Sequence, residues 1–575
     1  MKELNLGHSD FKDVIENNNY FVDKTLLIEE IIKAQKAVIL FPRPRRFGKT
    51  LNLSMLRYFF DRSMPENEKL FKELKIWQTG DEIKQHCCKY PVIYLTFKDA
   101  KAETWEETMY FLKIEIAKVY KQHRYLLKGD YLFEDEKIIF NEILTKKANV
   151  SELAYSLNQL SEYLQRYHKQ KAVILIDEYD VPIQAGYKNF YKQVVSFMRN
   201  LLSGAFKDNS NLYKGVITGI LRVSKESIFS GLNNISVYSI LDSEFSDKFG
   251  FTDSEVKQII KDFNVKTDYD LIKKWYNGYK FGETESIYNP WSILNFAVSK
   301  DKCFKPYWTN TSSNDLIKNE IKKKDASGVR TEILKLINNE TIKKDIEENF
   351  VFADLDNRKT MLWTLLTYSG YLTIKKQVKL GEYELRIPNY ELKIIFKKTI
   401  LEWFEADVKV IKSLLEETAN YLISNNIQKF EQGFKQIIGD TFSYYDTAKN
   451  HEYIYQSYIL GLLAIIGDDY IIKSNKESGE GRYDIMLIPR SRAYPNGVVI
   501  EIKQIYKQQP TETDEDFIKR INKQIELAKN QIDRNKYCKE LIDNGLKQEQ
   551  IIKVPIIFAG KEPYVTPAKT QEKFE

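Results

Sequence analysis

The chain is poor in cysteine: Cys87, Cys88, Cys303 and Cys538 are the only four in 575 residues. Adjacent Cys87 and Cys88 do not have C-x-x-C spacing, and no histidine cluster stands near them, which argues against a disulfide framework or a zinc site and for a reducing compartment. Histidine is scarce too; His8, His86, His123, His168 and His451 are scattered, and none is assigned a catalytic role. Long apolar runs are missing. The longest, YILGLLAIIG at 458–467, falls short of the roughly 18 residues a membrane span needs, and MKELNLGHSDFKD at the start lacks the apolar core of a signal segment. The expectation is a cytoplasmic protein without a membrane partner. No charge of one sign dominates either: 87 basic against 81 acidic side chains leave +6, so any nucleic-acid surface must be local.

What is present is an ordinary globular composition, 43% hydrophobic and 29% charged, over a length too great for one core. No internal repeat or low-complexity linker marks boundaries, so they are read from changes in pattern. Over residues 1–245, short Val- and Ile-rich runs alternate with amphipathic stretches: KAVILF (36–41), YPVIYLTF (90–97), KAVILID (171–177) and KGVITGI (214–220). Such runs suit strands buried on both faces, and the alternation predicts an α/β unit on a parallel sheet. Residues 246–435 read as a helical middle region with room for a winged helix, with helices at SEVKQIIKDF and TMLWTLLTYSGYL and a hairpin near TIKKQVKLGEYELRIP. Residues 436–575 read as a mixed α/β unit: the apolar helix YIYQSYILGLLAIIG, two strands joined by a turn, a charged helix over 515–535 and a last strand, KVPIIFAG.

FPRPRRFGKT (41–50) ends like a phosphate-binding loop, but Arg43 stands where G-x-x-x-x-G-K-[ST] has its first glycine. Such a loop needs a buried strand, a turn aiming N–H groups inward, a lysine, and a hydroxyl opening a helix. VILF, RPRRFG, Lys49, Thr50 and LNLSMLRYFF supply these in order. Lys49 would reach the β- and γ-phosphates of ATP and Thr50 would ligate magnesium. Arg45, Arg46, Phe47 and Gly48 complete the cradle. The plain alternative is a basic strand–helix loop. VILIDE (173–178) shifts the balance, because an apolar strand ending in two carboxylates is what holds magnesium and polarises an attacking water. Asp177 is assigned to the metal and Glu178 to the water. Thr218, at the end of the fourth strand, is placed to sense the γ-phosphate. Arg222, followed by Ser224, would stabilise transferring charge in cis or across an interface between copies of the chain; a structural salt bridge is the alternative.

PRRFGKTLNLSML, ILIDEYDVPI, WYNGYKFG with IYNPWSILNF, and RIPNYE resemble the bacterial AAA-ATPase-like family whose members carry a C-terminal domain of the PD-(D/E)XK nuclease superfamily. The resemblance implies a P-loop NTPase parallel sheet at the N-terminus, a restriction-endonuclease-like mixed α/β domain at the C-terminus, and R-P-R-R-F-G-K as a family form of the loop.

GRYDIMLIPRSRAYPNGVVIEIK (481–503) carries its own argument. DIMLIP and VVIEIK read as strands with Asn496-Gly497 as the turn, and alternation puts Glu501 and Lys503 on one face. Pairing Pro489 with Val498 would set Asp484 opposite Lys503 and diagonal to Glu501. Asp484, Glu501 and the carbonyl of Ile502 are hard oxygen ligands for magnesium or manganese, and Lys503 would position the nucleophile of phosphodiester hydrolysis or stabilise the charge of its pentacoordinate state. The alternative for E-x-K is a cross-strand charge pair. By resemblance, Glu452 is a further acidic ligand on the first helix of that domain, and Gln531 and Tyr537 match polar positions on a later one. WYNGYKFG and IYNPWSIL read as packed turns rather than base-stacking platforms. The function expected is an ATP-binding, ATP-hydrolysing protein with a metal-dependent nuclease domain, acting on nucleic acid, DNA first, in defence or DNA processing. Its rival is an ATP-switched regulator, or a nucleic-acid-binding protein, whose nuclease-like domain is inactive.

Overall fold

A computed structural model of the chain describes residues 6–222, 234–308, 327–350, 352, 359–408, 412–441, 459–460, 462–478, 481–560 and 562–567. The chain divides into two compact units, Met1–Asn310 with Lys343–Glu391, and Thr311–Ile342 with Leu392–Glu575.

The four apolar runs of the N-terminal region are strands: β1 (Val38–Pro42), β2 (Val92–Thr96), β3 (Ala172–Asp177) and β4 (Leu212–Gly219). β1 and β3 are buried at every position, as unbroken Val/Ile/Leu runs require when helices cover both faces. With the three-residue β5 (Ile235–Val237), too short to leave a pattern, they form a parallel sheet in the order β2-β3-β4-β1-β5. β4 thus lies between the loop-bearing β1 and the acid-bearing β3. Phe41 is level with Thr218 and Ile176 with Ile217, so β1, β3 and β4 end side by side. The carboxyl ends of parallel strands are where such sheets bind ligands. LNLSMLRYFF lies in the helix Lys49–Phe60. The helix Val150–His168 opens on a capping box, Asn149 accepting from the Glu152 N–H and Glu152 from the Asn149 N–H.

After β5 the first unit continues with helices Asp253–Asp262, Tyr269–Tyr276 and Pro290–Val298. They enclose a core of Val256, Ile259, Ile272, Tyr276, Ile293 and Phe296. A two-stranded ribbon, β6 (Tyr279–Phe281) and β7 (Thr284–Ile287), sits among them. The expected hairpin is β9 (Thr373–Lys379) with β10 (Glu382–Arg386); β8 (Ile342–Asp345) joins it in the order β8-β10-β9. TMLWTLLTY is the buried helix Lys359–Tyr368.

The second unit holds a five-stranded mixed sheet of β11 (Tyr470–Ser478), β12 (Gly481–Pro489), β13 (Gly497–Ile505), β14 (Ile551–Ala559) and β15 (Glu562–Tyr564), in chain order. Only β13 and β14 run parallel. The charged helix is Asp514–Arg534, and it buries Ile521, Ile525, Ala528 and Ile532, one stripe at 4, 3 and 4 residue steps. Most of YIYQSYILGLLAIIG lies outside the described residues.

Two expectations about the β12–β13 hairpin are corrected. Leu487, not Pro489, is opposite Val498. Asn496-Gly497 is not a two-residue turn: residues 490–496 form the connection and Gly497 opens β13. Gly497 is there for space, since an added Cβ would stand 2.8 Å from a Leu541 methyl. Asn496 instead donates to the Ile423 carbonyl at 3.0 Å. Because the slip is two residues, every side chain keeps its face.

Candidate functional site

The loop between β1 and the helix Lys49–Phe60 turns on two left-handed residues, Arg46 (φ 66°) and Gly48 (φ 84°). Gly48 is the N-cap, where a positive φ favours glycine. Lys49 is buried, and its Nζ donates to the carbonyls of Arg43 (3.0 Å) and Pro44 (2.9 Å), so the ammonium sits inside the loop. Burial pulls it below the usual lysine range, and Glu178, Asp177 and Asp180 counter that. Thr50 Oγ1 donates to Asp177 Oδ2 at 2.7 Å, and Thr218 Oγ1 donates to the other oxygen, Oδ1. Asp177 is therefore fixed by hydroxyls from the loop helix and from β4.

Glu178 follows with a left-handed backbone (φ 53°), unusual for a glutamate. Burial raises its carboxyl above the usual range; Lys49 and Arg45 hold that rise in check while Asp177 and Asp180 add to it. The structure thus brings Lys49, Thr50, Asp177, Glu178 and Thr218 together. Asp180, not singled out beforehand, is fully buried and accepts the amides of Ile220 (2.9 Å) and Leu221 (3.1 Å) and the Gln184 side chain (3.0 Å). Tyr179 donates to the Leu221 carbonyl at 2.6 Å. The two residues tie the end of β3 to the segment leaving β4. The third acid of DEYD was the available signal. Arg222 stands apart, its guanidinium 3.9 Å from Glu348 and its carbonyl accepting the Phe350 N–H. Ser224 lies outside the described residues.

The outer side of the loop is held by chain that follows β5. Arg43 is wholly buried; its guanidinium donates to the carbonyls of Pro42 (3.0 Å), Tyr238 (2.6 Å) and Phe245 (3.4 Å) and lies over the rings of Phe249 and Phe281. Burial lowers it to about 9, so it stays a cation at neutral pH. At the place of the first glycine stands a clamp. The Arg45 carbonyl accepts from Asn289 (3.3 Å) and the Trp308 indole (3.4 Å), while its guanidinium approaches Gln184 at 3.5 Å. Arg46 stacks on Trp291, and Phe47 packs edge-on against Tyr279. Behind these, Glu391 is buried and accepts from Ser292 (2.8 Å) and the Trp308 N–H (2.8 Å); burial pushes its carboxyl up to about 7. WYNGYKFG, IYNPWSIL and RIPNYE thus form the backing of the phosphate loop.

In the second unit, the observed register extended by one residue sets Asp484 opposite Glu501 rather than Lys503. Directly opposed residues of antiparallel strands share a face. Asp484 Oδ2 accepts the Ile502 N–H at 2.7 Å, and Lys503 Nζ donates to Glu501 Oε1 at 2.7 Å, with Glu501 buried. Gln531 and Tyr537 meet each other, Gln531 Nε2 donating to the phenol oxygen at 3.4 Å. Tyr537 packs on Tyr483, the neighbour of Asp484. Glu452 lies outside the described residues. Among the described residues, no cluster of three or more His, Cys, Asp or Glu side chains is arranged to hold a metal, and no helix is long and apolar enough to cross a membrane.

Residues 5–229 match the family described as "Predicted AAA-ATPase", and residues 450–566 match the PD-(D/E)XK nuclease superfamily. The chain therefore joins an AAA-ATPase-like domain to a PD-(D/E)XK-superfamily domain, which bears out the resemblance read from its motifs. It is 25% identical over 504 residues to an uncharacterized protein of the vnfD 5′ region of Azotobacter chroococcum, covering 86% of this chain and 88% of that one. A Walker-type ATPase of Pyrococcus abyssi aligns with a TM-score of 0.34 and 13% identity, over 69% of this chain and 98% of that one.

Proposed function

We propose that the chain binds and hydrolyses ATP at its N-terminal site and cleaves the phosphodiester backbone of nucleic acid, DNA first, at its C-terminal one, in the cytoplasm. One kind of observation supports both halves: a strand aspartate held by its neighbours, Asp177 by Thr50 and Thr218, and Asp484 by the Ile502 amide. Hydroxyl and carboxylate oxygens at the first site, and two opposed carboxylates beside the Ile502 carbonyl at the second, are the hard donors that suit magnesium or manganese. The ion, when bound, neutralises phosphate charge and acidifies water. The protein groups do the rest. Lys49 and the loop from Arg45 to Gly48 would hold the phosphates, and Thr218 keeps the Asp177 carboxylate turned toward Thr50. Glu178, raised by burial, is suited to take a proton from water. Lys503 would steady the negative charge that grows on the phosphate.

The test is cleavage by the wild type, Asp484→Ala and Lys49→Ala on single- and double-stranded DNA and RNA, with magnesium or manganese, with and without ATP. Metal-dependent cutting that drops at least about 100-fold in Asp484→Ala, and whose ATP response is lost in Lys49→Ala, is expected. Equal, negligible turnover by wild type and Asp484→Ala on every substrate refutes the nuclease. One observation favours the rival, an ATP-switched regulator with an inactive nuclease-like domain: Lys503 and buried Glu501 are paired with each other. ATP binding without cutting is its signature.

A further inference from the structure

Neighbouring side chains of a helix or a strand point apart, so adjacent cysteines ordinarily hold their sulfurs away from each other. Cys87 and Cys88 do not. They lie in the turn after the short helix Asp81–Lys84, and Cys88 takes a left-handed backbone (φ 54°), uncommon for a residue with a Cβ. The two Sγ atoms stand 3.7 Å apart and share a hydrogen bond. Both flanks of the pair are pinned. The rings of His86 and Tyr90 stack on Tyr213, the two tyrosine centroids being 4.1 Å apart, and His86 Nδ1 lies 2.6 Å from the Tyr90 hydroxyl and 3.2 Å from that of Tyr213. Cys87 is buried and Cys88 half-buried, so a small reagent reaches the pair through Cys88. The shared hydrogen bond lowers the Cys88 thiol from its ordinary value and raises that of Cys87, which makes Cys88 the nucleophile of the two. The pair also touches the phosphate-loop helix at its far end. The Cys88 N–H donates to the Phe59 carbonyl at 2.7 Å, the Tyr90 N–H to the Phe60 carbonyl at 2.9 Å, and the Arg62 N–H to the Tyr90 carbonyl at 2.9 Å. Phe59 and Phe60 close the helix that Lys49 and Thr50 open.

We propose that Cys87 and Cys88 are a reversible oxidation site, at which hydrogen peroxide closes a disulfide between the two neighbours and thereby loosens the end of the phosphate-loop helix. In the step, the Cys88 sulfur attacks one peroxide oxygen and the O–O bond breaks. The other oxygen leaves with the electron pair and takes up the proton that Cys88 released, as water. Cys88 then carries a sulfenic acid. The Cys87 sulfur attacks the Cys88 sulfur, the S–O bond breaks, and the departing hydroxide takes the Cys87 proton as a second water. Two thiols lose two electrons and the peroxide gains them. Adjacent Cα atoms are about 3.8 Å apart, whereas disulfides ordinarily join Cα atoms about 4.4–6.8 Å apart, so the new bond twists the peptide between the two residues. The N–H of that peptide is the one the Phe59 carbonyl accepts. A disulfide under such tension reopens readily with a dithiol, which suits a switch rather than a structural staple.

The full chain, reduced and folded, is treated with hydrogen peroxide, quenched with iodoacetamide and digested with trypsin. Residues 85–89, QHCCK, emerge as one peptide between Lys84 and Tyr90, clear of Cys303 and Cys538. The expected product is this peptide two hydrogens lighter and without alkyl groups, formed at least about tenfold faster than the Cys303 thiol is lost and returned to the dithiol by dithiothreitol. In urea, where the turn is gone, the pair is expected to react no more than about threefold faster than Cys303. Hydrogen exchange at the amides of Arg62, Cys88 and Tyr90 is expected to quicken at least about tenfold when the wild type is oxidised. It is expected to stay as it was in Cys87→Ser, which keeps the backbone bonds but cannot close the ring; should thermal melting show that variant unfolded, Cys88→Ser takes its place. A pair that stays open to alkylation, passes to sulfinic acid without closing, or bonds to Cys303 or Cys538 instead overturns the site. So does an equal advantage over Cys303 in urea and in the folded chain, since any two adjacent cysteines would then serve. A disulfide that forms with exchange unchanged, or a rise as large in the serine variant, overturns the hold on the helix.

Discussion

Replacing Glu391 by glutamine removes a charge from under the phosphate loop while keeping its shape. The carboxyl is 1% exposed and accepts from Ser292 Oγ and the Trp308 N–H, bonds that an amide oxygen and a rotated hydroxyl reproduce. Burial moves the group from an ordinary 4.5 to about 7. At about 1.4 kcal/mol per pH unit, that displacement is worth about 3 kcal/mol. The sign follows from proton binding. Between pH 4.5 and 7 the folded state holds a proton that the unfolded state has released, so the stabilisation is complete below about 4.5 and is lost as pH rises through 7. The wild type should therefore lose up to about 3 kcal/mol between pH 5 and 8 relative to Glu391→Gln, and the variant should be the more stable at pH 8. Urea unfolding followed by tryptophan fluorescence at pH 5, 6, 7 and 8 measures this. Six tryptophans (77, 105, 275, 291, 308 and 363) fall in the unit that contains Glu391 and one (403) in the other, so the signal reports the relevant unit. A stability difference between the two proteins that stays constant from pH 5 to 8 would refute the reasoning.

Arg43→Gly, which writes the missing glycine back into the loop, should weaken rather than improve it. Leaving the carbonyls of Tyr238 and Phe245 without this donor, and a void beside Phe249, should cost about 3–5 kcal/mol in the same urea assay. A change under about 1 kcal/mol would show that the clamp does not matter. Gly497→Val should destabilise the second unit by about 1–3 kcal/mol through collision with Leu541 and Leu546, read as earlier loss of hydrogen-exchange protection in β13. Unchanged protection would mean that the leucines yield freely.

The four buried strands of the first unit were legible because a strand covered on both faces is an unbroken apolar run. β5 has three residues and β11 turns polar halfway, so neither leaves such a trace. The loop and acid residues were legible as well, since strand ends carry them into one place whatever the side chains between. The work of Arg43 was not. It stood out only as a departure from a pattern, and nothing local reveals that its partners are carbonyls 195 and 202 residues away. The hairpin shows the opposite case. Asn-Gly was read as a turn, although Gly497 answers a steric demand from Leu541; the slip was even, so Asp484, Glu501 and Lys503 kept the same face while the pairing partner changed.

The long reach of the loop's outer contacts bears on how the protein is made. Residues 43–47 leave the ribosome early, yet they are finished by Tyr238, Phe245, Gly250, Asn289, Trp291 and Trp308, the last of them 263 residues after Arg45. At about 5–20 residues per second, that is a wait of roughly ten seconds to a minute. For most of that interval Arg43 lacks the carbonyls of Tyr238 and Phe245, and the nascent chain has a phosphate loop in sequence but not in shape. Nucleotide capture is thereby deferred until most of the first unit has been synthesised, so a stalled or truncated product carries the motif without the grip.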